Sequence, residues 1–271
     1  MAGPVRHDWL TNEQGVSYPP EPWHLGGTIH ASLWLIPRDQ VEPLLLKGTR
    51  IVSWGGQAVL VTAWANYAPG GVLSYNEMLS AILVRANRKL AFTVAHIFVD
   101  SAASAAGGRE LWGMPKSLAS FQSASHPTFN AALSVGSDIL ATFRFRPTVP
   151  LPFSWPMSLK TAQLLDGGLR MTSFQARGRI AFGRGNWTFN PAGPFQYLVG
   201  HHPMVSVRLD RMALSCGIQG GITEVLAEQE QADRRLDRVG HHHQVFGKRE
   251  KPSETSLPSC TRLCLPIDSW I

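Results

Sequence analysis

A chain of 271 residues in which 44% are hydrophobic can bury a full-sized core, and it sits at the upper end of what one mixed domain takes. The formal charge of +6 and the pI of about 9.5 come from a sequence with only 16% charged residues, so the basic balance is spread thin. No Lys/Arg run forms a nucleic-acid footprint. The densest short cluster, Arg177-Gly178-Arg179 with Arg184, reads as surface arginines flanking a strand. No apolar stretch approaches the roughly 18 residues of a membrane helix, and Met1 to Gln14 lacks the apolar centre of a secretory signal. The expectation is a soluble, cytoplasmic protein with neither nucleic acid nor membrane as partner. Cys216, Cys260 and Cys264 cannot all pair, which argues against a disulfide framework, and no metal site is expected. The sequon Asn186-Trp187-Thr188 has no consequence without a secretory route.

Residues 1–24 are rich in Pro and Gly and read as an extended N-terminal arm. Short strands are then predicted at Ile29–Ile36, Ala58–Trp64, Met78–Arg85, Leu90–Val99, Leu118–Gln122, Ile139–Phe145, Phe174–Phe182 and Val205–Leu214, divided by Gly, Pro, Asn and Asp clusters. Pro37–Leu45 suits a short helix with Asp39 at its start, and Ser158–Leu165 is predicted as another. This spacing gives a β-dominated α+β body over residues 25–216. Beyond it, residues 217–271 read as a C-terminal extension: Ile222–Arg238 has helical spacing, and His241-His242-His243 reads as solvated, since adjacent histidines cannot easily face one ion. No function is assigned to it.

The segment Gly107-Gly108-Arg109-Glu110-Leu111-Trp112-Gly113-Met114-Pro115-Lys116 carries most of the chemical information. A protonated lysine is no nucleophile, and apolar neighbours such as Leu111, Trp112 and Met114 favour the neutral amine by desolvation. Two readings stand side by side: a solvated lysine at the end of a turn, and a reactive amine. Glu77, in Ser74-Tyr75-Asn76-Glu77, lies 39 positions before Lys116. It reads either as a proton-transfer group or as a carboxylate pairing with Arg85 or Arg109. Trp64 and Tyr67 are candidate pocket-lining aromatics. His96 reads as a core histidine, and His201-His202 as part of a turn.

Gly-Arg-Glu-Leu, two further residues, a bulky residue, Pro and Lys, with Tyr75-x-Glu77 in register upstream, together resemble the acetoacetate decarboxylase family. The resemblance covers roughly residues 18–215. It implies curved antiparallel sheets closing into a barrel-like or cone-like body around a central pocket, with few short helices. It also implies that Lys116 forms a Schiff base with a substrate ketone and that Glu77 lines the pocket. The substrate-binding set is then Trp112, Met114, Trp64 and Tyr67, while Arg109 and Glu110 give structural support by fixing the loop before Lys116. No cofactor is expected, and a homo-oligomer is.

Three departures accompany the resemblance. The second lysine that follows the nucleophile in members acting on acetoacetate is Ser117 here, an arginine of the first strand falls near His30, and a second pocket glutamate falls at Thr62. These losses argue against acetoacetate and for a larger, more apolar β-keto acid. The expected activity is decarboxylation of a polyketide- or fatty-acid-derived β-keto acid to a methyl ketone, in secondary metabolism. The alternatives are a Schiff-base aldolase or dehydratase of the same superfamily and a non-catalytic ligand-binding protein in which Lys116 simply pairs with Glu77.

Overall fold

The structure, a computed structural model, describes residues 8–125 and 128–217; all of them fall in the first of the chain's two units, Met1–Val225. The expectations for Ile222–Arg238, the histidine run, Cys260 and Cys264 concern residues outside those described. In chain order the strands are β1 (Leu10–Thr11), β2 (Ser17–Tyr18), β3 (Trp23–Pro37), β4 (Thr49–Ile51), β5 (Ser53–Trp54), β6 (Gln57–Ala68) and β7 (Tyr75–Ala86). They continue as β8 (Lys89–Val99), β9 (Lys116–Leu118), β10 (Ser120–Ala124), β11 (Phe129–Val135), β12 (Asp138–Leu165), β13 (Gly168–Phe189) and β14 (Val205–Cys216). Two α-helices accompany them, α1 (Arg38–Val41) and α2 (Ala102–Trp112).

Apart from the small β1–β2 pair, every strand belongs to one large curved sheet in the order β10-β11-β12-β13-β14-β3-β6-β7-β8-β9, with β4 added to β7 and β5 to β6. A second, parallel contact between β12 and β8, Thr161 opposite Phe92, brings the two arms together, so the hydrogen-bonded path from β12 through β14, β3 and β7 returns to β12 as a ring. This is the curved, closing antiparallel architecture expected from the sequence.

The long strands are apolar on both faces because both faces are covered. On β3 and β6, Leu25, Ile29, Ala31, Val61, Ala63 and Tyr67 turn into the ring. Their alternates Trp34, Ile36, Leu60 and Trp64 turn outward into a second core. That outer core is covered by β10, β11 and the ends of β12 and β13, which contribute Phe129, Leu133, Phe143, Phe145 and Phe189. Trp187 stacks on Phe143 at 4.0 Å and donates its indole N–H to Ser32 Oγ at 2.9 Å. His96 is half-buried on the same side, stacked on Tyr197, as a core histidine would be.

Two predicted elements differ. Ser158–Leu165 is not helical but the end of β12, paired residue by residue with β13 from Ser158 opposite Gln175 to Leu165 opposite Gly168. The signal was Asp166-Gly167, whose φ values of +50° and +74° make the tight hairpin turn that this dipeptide favours. Conversely, the run read as a loop before Lys116 is α2. Ser101 caps its start by accepting from the backbone N–H of Ser104 at 3.2 Å, and Gly113, at φ +66°, ends it. Its adjacent glycines weigh against a helix on propensity alone, and packing supplies the reason for both of them. The predicted helix at Pro37–Leu45 is present as α1 followed by a 3-10 turn over Glu42–Leu44. No helix among the described residues is long and apolar enough to cross a membrane.

Within the outer core His30 is 4% exposed, lies 4.0 Å from the Phe129 ring in a stacked arrangement, and has no partner for Nε2. Burial, reinforced by the nearby Arg208, lowers its pKa from 6.5 to about 3. Because the unfolded chain binds this proton below 6.5 and the folded one does not until about 3, stability falls as the pH drops through that window. The slope from this one group is about 1.4 kcal/mol per pH unit at its steepest. Chemical denaturation at a series of pH values should show that His30→Phe flattens the acid limb of the stability curve relative to the parent protein.

Candidate active site

The site is assembled where β7, α2 and β9 meet inside the ring. Lys116 opens β9, whose parallel pairing with β8 sets Lys116 opposite Ile97. Glu77 lies on β7 opposite Val99 of the same β8, so β8 is the common ruler that fixes the distance between the two side chains. The start of β7 is pinned to the end of β8 by Asp100, which accepts from the Asn76 backbone N–H at 2.8 Å and from Asn76 Nδ2 at 2.7 Å.

Lys116 is 4% exposed, and its ammonium finds three acceptors. Nζ donates to Glu77 Oε2 at 2.7 Å, to Ser104 Oγ at 2.9 Å and to the Tyr75 hydroxyl at 3.4 Å. Tyr75 donates onward to Glu77 Oε2 at 3.4 Å, and Tyr67 donates to Glu77 Oε1 at 3.2 Å. Both phenols are buried and beside a carboxylate, and burial first and Glu77 second push their pKa values well above 10.0. They therefore act as hydrogen-bond donors at neutral pH. The Tyr75 ring also lies under the ammonium, with Nζ 5.1 Å from its centroid.

The two glycines of α2 are explained by this packing. A Cβ on Gly108 would stand 2.6 Å from Lys116 Cδ and 2.7 Å from Cε, and one on Gly107 would stand 2.4 Å from the Trp23 ring. The lysine stem lies directly against the helix, and Trp23 fills the adjacent turn. Gly113 is equally constrained, since a Cβ there would meet the Leu164 carbonyl oxygen at 2.2 Å. Arg109 reaches from α2 to the Lys116 carbonyl through Nε at 2.7 Å and also through Nη2. It holds the backbone of the nucleophile candidate, in keeping with a supporting role, but through the carbonyl of Lys116 and not through Glu110, which is exposed.

Lys116 and Glu77 look into a cavity of about 400 Å³ that fills the ring. They are the charged members of its lining; the remainder is almost entirely aliphatic and aromatic. Trp112, Met114 and Tyr67 line it. Trp64 does not: it is 1% exposed in the outer core, against Phe121 and Phe129. Trp64 and Tyr67 are three residues apart on one strand and so face opposite ways. The anticipated pairing of Glu77 with Arg85 or Arg109 is replaced by the ion pair with Lys116. His30 and Thr62 are also outward, Thr62 accepting from Trp34 Nε1 at 2.9 Å. Their inward neighbours are Ile29, Ala31, Val61 and Ala63.

Two further groups at the ammonium, Tyr75 and Ser104, were not among the predicted site residues. Tyr75 could have been found, since it precedes Glu77 by two positions on a strand and must share its face. Ser104 could not, because its helix was not predicted. Cys216 also lines the cavity; burial raises its thiol pKa from 9.0 to about 12, which keeps it protonated and unreactive. Among the described residues no group of three His, Cys, Asp or Glu side chains could hold a metal ion.

Comparison with known proteins agrees with this fold. The family described as acetoacetate decarboxylase (ADC) matches residues 8–182. Among solved structures, the enduracididine biosynthesis enzyme MppR complexed with pyruvate is 18% identical, with a TM-score of 0.58 over 80% of this chain and 97% of that one. An acetoacetate decarboxylase from Legionella pneumophila is also 18% identical, with a TM-score of 0.56 over 73% and 86% of the two chains. An acetoacetate decarboxylase-like enzyme from Sphingomonas wittichii RW1 is 13% identical, with a TM-score of 0.55 over 80% and 98%. At these identities the likeness is one of fold. No curated protein matches the chain.

The fit of Lys116 against α2 gives a direct test. Gly108→Ala should force the lysine stem off the helix and cost about 1–3 kcal/mol in urea unfolding, as overpacking of a core does. The same helix carries Ala102 on its exposed side, and Ala102→Ser should leave the unfolding curve in place.

Proposed function

The chain belongs to the acetoacetate decarboxylase family, and we propose that it is a Schiff-base-dependent decarboxylase in which Lys116 condenses with the ketone of a β-keto acid larger and more apolar than acetoacetate. The observation that carries this reading is a lysine amine 4% exposed, held 2.7 Å from a carboxylate, at the wall of an apolar cavity of about 400 Å³. A cavity of that volume, lined by leucine, isoleucine, valine and aromatic side chains, is matched to an apolar chain and not to a small keto acid alone.

The reaction begins with a proton leaving Nζ, and Glu77 Oε2 is the atom placed to receive it. In a water-poor enclosure the neutral amine and neutral acid cost less desolvation than the ion pair. The amine adds to the ketone carbon, and the resulting hydroxyl leaves as water after taking the proton back from Glu77, giving a protonated imine. The C–C bond to the carboxylate then breaks, its electron pair passes to the imine nitrogen, carbon dioxide departs and an enamine remains. Protonation of the enamine carbon and addition of water return the methyl ketone and free Lys116. Fatty-acid-derived and polyketide-derived β-keto acids both fit, the latter placing the protein in secondary metabolism.

Hydrogen counting identifies what the hydroxyls do in this cycle. The ammonium has three hydrogens for Glu77, Ser104 and Tyr75, whereas a protonated imine has one. With Glu77 retaining the remaining N–H, the oxygens of Ser104 and Tyr75 lose the hydrogens they accepted and are left to accept from the carbinolamine hydroxyl or from water.

A second reading keeps the imine and changes the bond that is made. MppR, which shares this fold, has been solved with the condensation product of pyruvate and imidazole 4-carboxaldehyde. An aldol-type condensation or a dehydration would use the same amine.

Incubation with medium- and long-chain β-keto acids followed by borohydride should give an adduct on Lys116 by intact mass, with a mass lacking carbon dioxide, and none in Lys116→Ala. An adduct retaining the carboxylate, with pyruvate and an aldehyde joined to it, would favour the condensation reading. No adduct with any ketone would favour a binding protein. Glu77→Gln should lower turnover by about 10²–10⁴-fold, the usual contribution of a general acid–base group; unchanged turnover with reduced thermal stability would remove Glu77 from the chemistry.

A further inference from the structure

At the β12–β13 hairpin beside the cavity, several buried polar atoms have no hydrogen-bond partner. Thr161 lines the cavity on β12, is 5% exposed, and its Oγ1 has no hydrogen-bond partner. Thr172 is its register partner across the β12–β13 hairpin, is 4% exposed, and its Oγ1 is likewise unpartnered. Gln163 follows Thr161 by two residues on the same face and is 1% exposed. Its Nε2 donates to the Val94 carbonyl at 3.0 Å while its Oε1 is left without a donor. A buried polar atom left unsatisfied is costly, and here three lie close together: Thr161 on the cavity wall, with Thr172 and Gln163 beside it on the same hairpin.

Thr161 stands apart from the reacting lysine, with Gln163 at the intervening level of Val94. Along the edge of β8, Lys116 pairs with Ile97 and Thr161 pairs with Phe92. Five residues of strand separate the two levels, about 15 Å at the usual rise. A substrate whose ketone is joined to Lys116 would bring the far part of its chain, and not its carboxyl end, to the threonines.

We propose that Thr161, with Thr172 and Gln163 beside it, forms a second polar subsite that recognises an oxygen function, a ketone or hydroxyl, on the distal chain of the substrate. The inference rests on the imine reading for the orientation of the chain, and it deepens that reading. The substrate class is a β-keto acid bearing further oxygens along its chain, as polyketide-type chains do, in preference to a plain fatty β-keto acid. Thr161 and Thr172 each have a hydroxyl that both donates and accepts, and Gln163 Oε1 accepts, so a ketone oxygen or a hydroxyl can be satisfied there. A saturated chain satisfies none of them.

The test uses a saturated β-keto acid of medium chain length and chain-matched analogues in which one distal methylene is replaced by a ketone. The full chain should process at least one oxygenated analogue with the higher kcat/KM. In Thr161→Val the ratio of kcat/KM for that analogue over the saturated acid should fall about tenfold, the worth of a hydrogen bond lost at a buried site. Thr161→Ser, which keeps the hydroxyl, should hold the ratio near that of the parent. The corresponding methyl ketones are compared by calorimetric binding to Lys116→Ala, where no imine can form. A binding preference for the oxygenated ketone there, lost on adding Thr161→Val, supports the subsite even if borohydride traps nothing in the parent protein, in which case the imine reading alone falls. A ratio that Thr161→Val does not move overturns the subsite, and a trapped Lys116 adduct in the same protein would leave the imine reading standing.

Discussion

A lysine and a glutamate, each more than nine-tenths buried and 2.7 Å apart, are the constraint to which the surrounding structure is fitted. Taking either charge out of water alone would cost several kcal/mol, and the pair is tolerable only with its remaining hydrogens and lone pairs satisfied. The neighbours answer that need in detail. Ser104 and Tyr75 take the other ammonium hydrogens, and Tyr67 serves the second carboxylate oxygen. Each of these groups is fixed by a different element, so β6, β7, α2 and β9 must all be in register for the pair to be satisfied. Slipping any of the strands by one residue would turn its contribution to the opposite face.

The same requirement explains why the sheet closes and why α2 is built from small residues. A lysine reaching into the ring from β9 needs its four-carbon stem covered, and the cover is a helix with no side chain at Gly108. The helix is held down by Trp23 against Gly107 and by the backbone of Leu164 against Gly113. Arg109 then takes the Lys116 carbonyl, so one turn of α2 both clears space for the stem and anchors its backbone. Trp112 extends this arrangement, donating to Glu21 Oε2 at 2.8 Å while Arg170 donates to the other oxygen of Glu21 at 3.0 Å.

Much of this was legible in the sequence, for identifiable reasons. Strands alternate with period two, and the β3, β6, β7, β8 and β14 segments announce themselves because they are apolar, β-branched and bounded by turn residues. Lys116 stood out by its apolar setting behind Pro115, and the Tyr75-x-Glu77 pair by its resemblance, together with the Lys116 segment, to a family pattern. The helix before Lys116 was hidden because its glycines obey tertiary packing and not helix propensity, and Ser104 was hidden with it. Ser158–Leu165 was misjudged because its leucines and lysine suit a helix locally, while the deciding information, the Asp166-Gly167 turn and the partner strand β13, lies beyond it. Trp64 was placed in the pocket by residue type alone, although the parity of its position relative to Tyr67 already sent it to the other face.

Seen from the proposed chemistry, an apolar cavity without a dedicated carboxylate partner is a reason for decarboxylation and not an obstacle to it. Once the imine has formed, the substrate is a zwitterion whose positive nitrogen keeps Glu77 as its partner while its negative carboxylate faces walls that solvate it poorly. Breaking the C–C bond converts that zwitterion to a neutral enamine and neutral carbon dioxide, so the low-polarity surroundings favour the direction of charge annihilation. An arginine placed against the carboxylate would bind the acid more tightly but would stabilise the state before bond cleavage more than the transition state, in which the carboxylate charge is already dispersing. The inward positions Ile29, Ala31, Val61 and Ala63 are consistent with that trade. Binding energy then has to come from the rest of the chain, through apolar contact along the ring and, at the proposed subsite, the Thr161 hydroxyl. Among the described residues the cavity lining holds no cation besides Lys116, and it does hold the unpartnered Thr161 hydroxyl; the two are parts of the same recognition problem.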